Sequence, residues 1–531
     1  MTARLLAHRH RLVTEANSRW WTLGAMCFAL FMVMLDNTVV NVSLPSIQRD
    51  LHASLSALEW TVNAYTLTFA VLMVTGGRLG DIFGRRRMFL FGVVVFGLSS
   101  AAIGFAPDDT ALVAFRAVQG IGAAFMMPAT LSIITQAFPP HQRGMAIGTW
   151  AGVSAMALAI GPVLGGFLTQ SVSWRAIFFI NPPIAVIALA VTLFAAQETR
   201  DETVSRRVDV AGIAAITVGL TSLVLGLVEG NAWGWGSTRI IALFVAAAGA
   251  LVAFVYAELH VRAPMVDFTF FRSRSFLGAN TVGFIVSFAM LAQFFFLALY
   301  MQNILHYTPL QAGVRFLPST LVIIVMGPLA GRLTDRIGPR PLMTAGLLTV
   351  AAALFWQSGM TVHTGYGRLL PGFVLMGIGM GLVMSPMSTA AMNSVDRTKA
   401  GVASGVLSMS RMVGGTFGVA IMGALVATIG RAQLDQRLPH LPAATRATIA
   451  GALGSGGGGA GHHVPAQIVA AIREAFVSAL GTGLTIGAAV TALGAVVAVT
   501  LVKAGRADHP AAPAEAEPSP PEAAESELTL V

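Results

Sequence analysis

Charged side chains are scarce in this chain of 531 residues: Asp, Glu, Lys and Arg together make up 11% of it. A soluble globular protein carries about 25% of such residues. A large buried core does not explain the deficit, because the water-exposed surface around any core still requires charge. With 55% hydrophobic residues, the composition indicates that lipid surrounds most of the chain.

Lysine and cysteine are almost missing as well. Lys399 and Lys503 are the only lysines, so arginine supplies most of the basic charge behind the net +9, and it clusters in short connectors rather than in a basic helix. This placement argues against nucleic-acid binding. The single cysteine, Cys27, excludes an intrachain disulfide and a thiolate metal cluster. His462 and His463 have no further ligands at metal-site spacing, so we expect no metal site and no cofactor.

Sequence motifs for ATP hydrolysis and for enzymatic chemistry are also missing. The chain contains no G-x-x-x-x-G-K-[ST] phosphate loop, no H-E-x-x-H metal motif and no G-x-S-x-G nucleophile motif. We therefore expect neither an ATP-driven pump nor an enzyme.

Long apolar runs are what the sequence does contain. A helix needs about 20 apolar residues to cross the hydrocarbon layer, and fourteen such runs predict an all-α integral membrane protein with 14 transmembrane helices. Basic residues fall mainly in one alternate set of connectors, which the positive-inside rule assigns to the cytoplasm. The expectation is a multi-pass protein of the cell (inner or plasma) membrane with both termini cytoplasmic.

One loop sequence occurs twice. G-R-L-G-D-I-F-G-R-R at residues 77–86 follows the second apolar run, and G-R-L-T-D-R-I-G-P-R at residues 331–340 follows the tenth. A second echo is the G-I-G of residues 120–122, which recurs at residues 377–379. The positive-inside rule explains the arginines but neither the glycines nor the aspartate. Repeated halves are typical of secondary transporters, in which one helix bundle rocks against the other around a midplane site.

Several segments resemble motifs of the major facilitator superfamily, and in particular of its fourteen-span drug:proton antiporters. The loop at residues 77–87 resembles the superfamily's loop signature, and L-D-N-T-V-V-N-V-S-L-P at residues 35–45 is similar to the antiporters' first-helix motif. The R-A-V-Q-G of residues 116–120, the G-P-V-L-G-G of residues 161–166 and the segment 174–182 resemble the fourth-helix, fifth-helix and sixth-span motifs. The resemblance extends over about residues 20–502.

The resemblance implies the major facilitator fold, with two six-helix bundles plus two inserted helices. The predicted domains are a cytoplasmic N-terminal arm (1–19), an N-terminal six-helix bundle (20–199), an inserted helix pair with flanking loops (200–270), a C-terminal six-helix bundle (271–502) with a long extracellular loop (430–474), and a disordered cytoplasmic tail (503–531). The glycine-rich tract predicts a flexible loop, and the Pro, Ala and Glu that dominate the tail predict its disorder.

Two opposite charges lie deep within apolar runs. A carboxylate near the bilayer centre costs about 2.5–3.5 kcal/mol, which makes Asp36 a functional candidate. Counted from the outer ends of their spans, Asp36 and Arg116 lie at similar depth. We hypothesise that Asp36 exchanges a proton and that Arg116 adjusts this exchange, since a nearby cation favours the ionised carboxylate. Both match family positions linked to proton coupling. The alternative is a static ion pair that only braces the bundle.

Three further sets of residues are candidates for function. The resemblance implies a conformational switch in the repeated loops, whose aspartates could accept hydrogen bonds from a facing helix N-terminus: Gly77, Asp81, Gly84, Arg85, Arg86, Asp335 and Gly338. The antiporter motif combines a helix-kinking proline with small residues that allow close helix packing: Gly161, Pro162, Gly165 and Gly166. Candidate walls of a substrate cavity, which could equally be ordinary packing residues, are Asn37, Asn41, Tyr65 and Gln293.

Arg411, in the thirteenth apolar run, has no carboxylate partner that the sequence identifies. It either faces the cavity or extends toward the inner surface, and both possibilities stay open.

The functional prediction is a proton-coupled secondary active exporter (antiporter) of hydrophobic or cationic drugs, acting in multidrug efflux. An exporter of the same fold for an endogenous metabolite, lipid or natural product is the alternative. A non-transporting membrane sensor is more remote, because it explains the paired intramembrane charges poorly. The expected partners are small substrates, protons and lipid, and the expected state is a monomer, with accessory subunits left open.

Overall fold

The computed structural model describes residues 17–53, 55–200, 209–261, 268–396, 399–438 and 465–503. These residues are almost entirely α-helical, and no β-strand occurs among them. The predictions for most of the N-terminal arm, for the glycine tract and histidine pair of the long loop, and for the tail beyond residue 503 lie outside the described residues.

The helices follow one another with short connections. In chain order they are α1 (Ser18–Leu51), α2 (Leu55–Phe83), α3 (Arg85–Gly104), α4 (Asp109–Ala137), α5 (Pro140–Ser171), α6 (Ala176–Phe179), α7 (Asn181–Ala195), α8 (Val210–Trp233), α9 (Thr238–His260), a 3-10 turn (Phe268–Arg272), α10 (Arg274–Asn303), α11 (Pro309–Ile337), α12 (Pro339–Ser358), α13 (Tyr366–Asn393), α14 (Ala400–Arg437) and α15 (Ala466–Leu501). Thirteen spans in the described residues are long and apolar enough to cross a membrane, with α6 and α7 forming one of them. The remaining predicted span, the fifth, corresponds to the 32-residue α5. The prediction of an all-helical membrane protein is confirmed.

The predicted loop at residues 430–474 is shorter than expected at both ends. Helix α14 continues to Arg437, and α15 begins at Ala466. The two helical extensions are joined by an ion pair between Arg437 and Glu474. Charged ends therefore extend these helices past their apolar parts, which the hydropathy of the sequence alone does not reveal.

The sixth predicted span is two consecutive helices. Helix α6 ends at Phe179 and α7 begins at Asn181, with Pro182 and Pro183 in its first turn. Proline is tolerated there because the first N–H groups of a helix have no intrahelical partner, but it cannot supply the hydrogen bonds of a continuous helix. The interruption places Asn181 at a helix start in the interior of the bundle.

The repeated glycines make equivalent contacts in the two halves. A Cβ atom on Gly120 of α4 or on Gly377 of α13 would come within 2.4 Å of a backbone oxygen of the second helix of its own bundle, α2 or α11. Gly122 and Gly379 approach the third helix, α3 or α12, in the same way. The sequence repeat is therefore a packing repeat, which relates α1–α7 to α10–α15 and leaves α8 and α9 as a pair packed on each other.

Two further repeated glycines form turns. Gly84 between α2 and α3 has φ of 111°, and Gly338 between α11 and α12 has φ of 83°. A side chain is strongly disfavoured at such positive φ values, so both turns require glycine. These turns mark one end of the molecule, called here the repeated-loop end, where residues 77–87 and 331–340 lie.

The two bundles meet at the repeated-loop end. Helices α5 and α11 cross there with almost no side chain between them, since a Cβ atom on Gly331 would lie 2.1 Å from the carbonyl oxygen of Gly144. Helices α2 and α14 do the same, because a Cβ atom on Gly77 would lie 2.4 Å from the carbonyl oxygen of Gly401. All hydrogen bonds described between the bundles lie at this end. The conformation is therefore closed at the repeated-loop end.

At the opposite end of the molecule, polar side chains connect α1 to the segment before α6. Asp50, beyond the apolar part of α1, accepts a hydrogen bond of 2.9 Å from Nε1 of Trp174 and pairs with Arg175. These hydrogen bonds, together with the positive charge of Arg175, lower the pKa of the Asp50 carboxyl. These contacts fix the direction in which the chain enters α6 and α7.

Candidate coupling site and inter-bundle contacts

The structure brings Asp36 and Arg116 together. Asp36 lies in the middle of α1 and is 3% exposed, and Arg116 of α4 is 1% exposed. Nη1 of Arg116 donates to Oδ2 of Asp36 at 2.5 Å. A buried carboxylate and a buried guanidinium are thus directly paired inside the N-terminal bundle, away from both water and lipid.

The second oxygen of Asp36 is bonded by two amides. Nε2 of Gln119 donates to Oδ1 of Asp36 at 3.0 Å, and Nδ2 of Asn181 donates to the same oxygen at 3.3 Å. Asn181 also donates to Oγ of Ser100 in α3. Asp36 therefore accepts hydrogen bonds from α4 and α7 at once, and the carboxylate connects the helices of its bundle.

Arg116 is held in place by α2. Its Nε donates to the carbonyl oxygen of Thr61 at 3.0 Å, and its Nη1 also donates to Oε1 of Gln119 at 2.7 Å. The ring of Tyr65 lies 4.2 Å from the guanidinium carbon, which is cation–π geometry. Since Tyr65 is 0% exposed, it supports the charge pair and is not a cavity wall in this conformation, which corrects its prediction.

Gln119 and Asn181 were not predicted as site residues. Gln119 follows Arg116 by three positions, so helical spacing puts both on one face and could have identified it. Asn181 could not have been found this way, because its position depends on the interruption between α6 and α7.

Removing Arg116 should destabilise the protein strongly. Loss of one partner of a buried ion pair leaves the other charge uncompensated and typically costs about 3–5 kcal/mol. We expect Arg116→Gln to lower the thermal midpoint, and the double variant Asp36→Asn/Arg116→Gln to recover much of the loss. Cys27 is the single cysteine and is buried, so a fluorogenic thiol reagent reports unfolding directly. An unchanged midpoint in Arg116→Gln would show that Asp36 carries no charge in this conformation.

The antiporter-motif glycines pack α5 against the helix that carries Asp36. A Cβ atom on Gly161 would lie 1.8 Å from Oγ1 of Thr38, and one on Gly165 would lie 3.1 Å from the carbonyl oxygen of Val39. Gly166 is buried, whereas the side chain of Pro162 lies outside the described residues. The motif therefore closes the α1–α5 interface within a turn of Asp36.

Asp81 connects the two bundles at the repeated-loop end. Its carboxylate accepts hydrogen bonds from the N–H groups of Gly401 and Val402, at 3.0 and 2.8 Å, in the first turn of α14. Nε and Nη2 of Arg85 donate to Oδ1 of Asp81 at 2.9 and 2.7 Å. The arrangement is an anion at a helix N-terminus, where free N–H groups and the helix dipole favour it.

Asp335 makes the corresponding contact from the C-terminal bundle. Its two oxygens accept hydrogen bonds from the N–H groups of Gly144 and Met145 of α5, at 3.1 and 3.3 Å. The position that corresponds to Arg85 in the repeat is occupied by Pro339, and Asp335 forms no ion pair with a described residue. The two contacts are equivalent in geometry but not in charge.

The other predicted switch residues divide between two places. Gly77 lies at the inter-bundle contact, whereas Arg86 donates from Nη2 to the carbonyl oxygen of Leu193 and from its backbone N–H to Glu198. Arg86 therefore holds the end of α7 against its own bundle and makes no described contact across the interface.

At least two of the four predicted cavity residues are fully buried in this conformation. Gln293 is 0% exposed, and its Nε2 donates to Oε1 of Gln357 in α12 at 2.6 Å, so the prediction that it lines a cavity is wrong for this conformation. Asn37 is partly exposed and bonds to the carbonyl oxygen of Val33 in its own helix. The side chain of Asn41 lies outside the described part of α1.

Known proteins share both the sequence and the fold of this chain. Residues 26–419 match the model of the family described as the Major Facilitator Superfamily. The chain is 35% identical over 495 residues to the tetracenomycin C resistance and export protein of Streptomyces glaucescens. The matched region covers 91% of this chain and 92% of that protein. It is 36% identical over 421 residues to the multidrug resistance protein Stp of Mycobacterium tuberculosis (strain CDC 1551 / Oshkosh), covering 79% of this chain and 78% of that protein.

A solved structure shows the same arrangement of helices. The crystal structure of the human organic anion transporter MFSD10 (TETRAN) superposes with a TM-score of 0.56 over 92% of this chain and 100% of that chain. The sequence identity is 14%, so the likeness shows the fold alone. The major facilitator fold that the sequence resemblance implies is thereby confirmed.

Proposed function

Because the chain belongs to the Major Facilitator Superfamily, we propose that it is a proton-coupled exporter of small hydrophobic drugs, cationic ones among them. The observation that carries the proposal is the buried charge network of Asp36, Arg116 and Gln119, which places one titratable carboxylate in the middle of a membrane helix. Charged groups at this depth are costly and mark ion and proton pathways. Relatives named for resistance and export support drugs as the cargo.

The closed repeated-loop end supports an alternating-access cycle. We assign this end and both termini to the cytoplasm, because arginine concentrates in its loops. The described conformation then faces outward. Uptake of a proton by Asp36 would remove the charge that Arg116 and the two amides hold, which weakens the contacts among α1, α4 and α7. A change of that kind inside one bundle can shift the balance between outward-facing and inward-facing states.

A second cargo has support of its own. The relative from Streptomyces glaucescens is named for export of, as well as resistance to, tetracenomycin C. Export of a natural product made by the same cell is therefore the alternative cargo for this chain. The transport cycle and the role of Asp36 are the same in both cases. No contact described in the structure favours a sensor.

The test is gradient-driven transport by purified protein in liposomes. A pH gradient is imposed with the proton concentration higher on the side away from the added substrate, and uptake of a fluorescent amphiphilic cation such as ethidium is followed. One proton exchanged per substrate allows about tenfold accumulation per pH unit, since tenfold corresponds to about 1.4 kcal/mol. Accumulation must disappear with a protonophore and in protein-free liposomes. Equal concentrations inside and outside at steady state, for each of several hydrophobic probes, would overturn the proposal.

A further inference from the structure

Arg411 is a second arginine deep within a membrane helix, and its surroundings differ from those of Arg116. It lies in α14, eleven residues beyond the first residue of that helix, Ala400. A Cβ atom on Gly283 of α10 would lie 3.2 Å from Cγ of Arg411 and 3.0 Å from Sδ of Met387 of α13. The stem of the side chain therefore lies where α14 meets α10 and α13.

The guanidinium of Arg411 has no partner among the residues that the structure describes. Its Nε is buried without a hydrogen bond, and none of the described hydrogen bonds or ion pairs involves this side chain. The adjacent Ser410 is already engaged, since its Oγ donates to Oδ1 of Asn280. Arg116, by contrast, has a carboxylate, an amide and a carbonyl as acceptors. A guanidinium whose Nε is buried without an acceptor is costly, so its retention calls for an acceptor from elsewhere.

Arg411 also lies in a partly exposed stretch of α14. Residues 400–408 of α14 are all buried, which is where α14 packs on α2, whereas residues 409–413 are partly exposed. Helix α13 contacts α5 of the other bundle, and α14 contacts α2 and α4. The partly exposed stretch that holds Arg411 thus begins where the buried packing of α14 on α2 ends.

We propose that Arg411 binds the acidic group of an amphiphilic organic anion, with the apolar body of that anion packed on the partly exposed Met412 beside it. A guanidinium forms paired hydrogen bonds with a carboxylate, and methionine adapts to apolar surfaces of varied shape. Asp36 offers no free anion to a cationic substrate in this conformation, because three protein donors already bind it. The inference rests on the proposed function in taking this partly exposed stretch as part of the transport path, and it adds lipophilic acids to the cargo.

The test compares an acid with its neutral ester. Binding of pyrenebutyrate and of its methyl ester to purified protein is measured by fluorescence anisotropy for wild type, Arg411→Gln and Arg411→Lys. A hydrogen bond to a charged group is worth about 1.5–3 kcal/mol, so we expect Arg411→Gln to weaken acid binding at least about tenfold. Ester binding should stay within about twofold, and Arg411→Lys should retain part of the preference for the acid.

Arg431→Gln is the matched control, because it removes one positive charge from an exposed position of the same helix. Equal losses for acid and ester in Arg411→Gln would indicate a packing role and overturn the proposal, as would a wild type that binds the acid no more tightly than the ester. Acid-selective binding without gradient-driven movement would instead overturn the exporter function and leave this inference standing. Gradient-driven movement of the ester with no preference for the acid would overturn this inference and leave the exporter function standing.

Discussion

Replacing Asp36 with asparagine should abolish accumulation against a gradient while leaving exchange of substrate across the membrane intact. The amide has nearly the shape of the carboxylate and can still accept a hydrogen bond from Arg116, but it neither carries a charge nor takes up a proton. With the coupling group lost, the steady-state ratio of substrate concentrations across the membrane should fall from about tenfold per pH unit to about one. Counterflow, in which unlabelled substrate on one side drives labelled substrate from the other, needs no proton and should continue.

The control for this variant is Asp109→Asn. Asp109 begins α4, the helix of Arg116, and its replacement makes the same change in charge at a partly exposed helix end. It should accumulate substrate as the wild type does. Full accumulation by Asp36→Asn would show that the proton binds elsewhere and that the Asp36–Arg116 pair only braces the bundle. Loss of counterflow together with accumulation would point to the same structural role, because exchange requires only an intact path.

Much of this architecture follows from local rules. Apolar runs predict spans because the bilayer thickness fixes the length of a helix that crosses it. The repeated loops predict two related bundles, and the glycine turns at Gly84 and Gly338 explain why the repeat keeps glycine there. The proximity of Asp36 and Arg116 was expected from their depth in the membrane together with the family resemblance. Depth in the membrane can be counted along the sequence from the ends of each span.

The rotation of each helix about its own axis, which decides the neighbour that a side chain faces, cannot be counted in this way. Gln293 lies at a suitable depth for a cavity residue, yet it faces Gln357 inside its own bundle. In a soluble protein, polar residues mark the face that turns to water, but in a helix surrounded by apolar groups there is no such contrast to indicate which side faces a neighbour. The same limit left Arg411 unassigned, because its position between α10 and α13 depends on how three helices cross.

The two aspartate contacts at the repeated-loop end should contribute unequally to closure. Asp81 is bonded both to the N-terminus of α14 and to Arg85, which is 1% exposed. Asp81→Asn therefore weakens the bonds to α14 and also deprives a buried arginine of its carboxylate, and opening of this end relieves that cost by admitting water. Asp335→Asn weakens bonds to α5 only, because Pro339 stands in place of the arginine.

Expected magnitudes follow from charge-assisted hydrogen bonds, each worth about 1.5–3 kcal/mol. Asp81→Asn should raise the population open at the repeated-loop end by at least about tenfold, Asp335→Asn should raise it less, and the double variant should exceed both. Substrate binding itself should persist, since neither residue lies in the space beyond the contact. Asp109→Asn again controls for the loss of one negative charge.

A cysteine at position 385 can report this opening. Ser385 of α13 is 0% exposed, and its Oγ donates to the carbonyl oxygen of Gly144 of α5 across the interface, so it becomes accessible only when the bundles separate there. In a Cys27→Ser background, Ser385→Cys should react slowly with a membrane-impermeant thiol reagent, and at least about tenfold faster when Asp81→Asn is added. Equal reaction rates would show that the aspartate does not hold the end closed. The glycine contacts between α5 and α11 and between α2 and α14 would then be sufficient for closure, because backbone packing this close excludes water without any ionic contact.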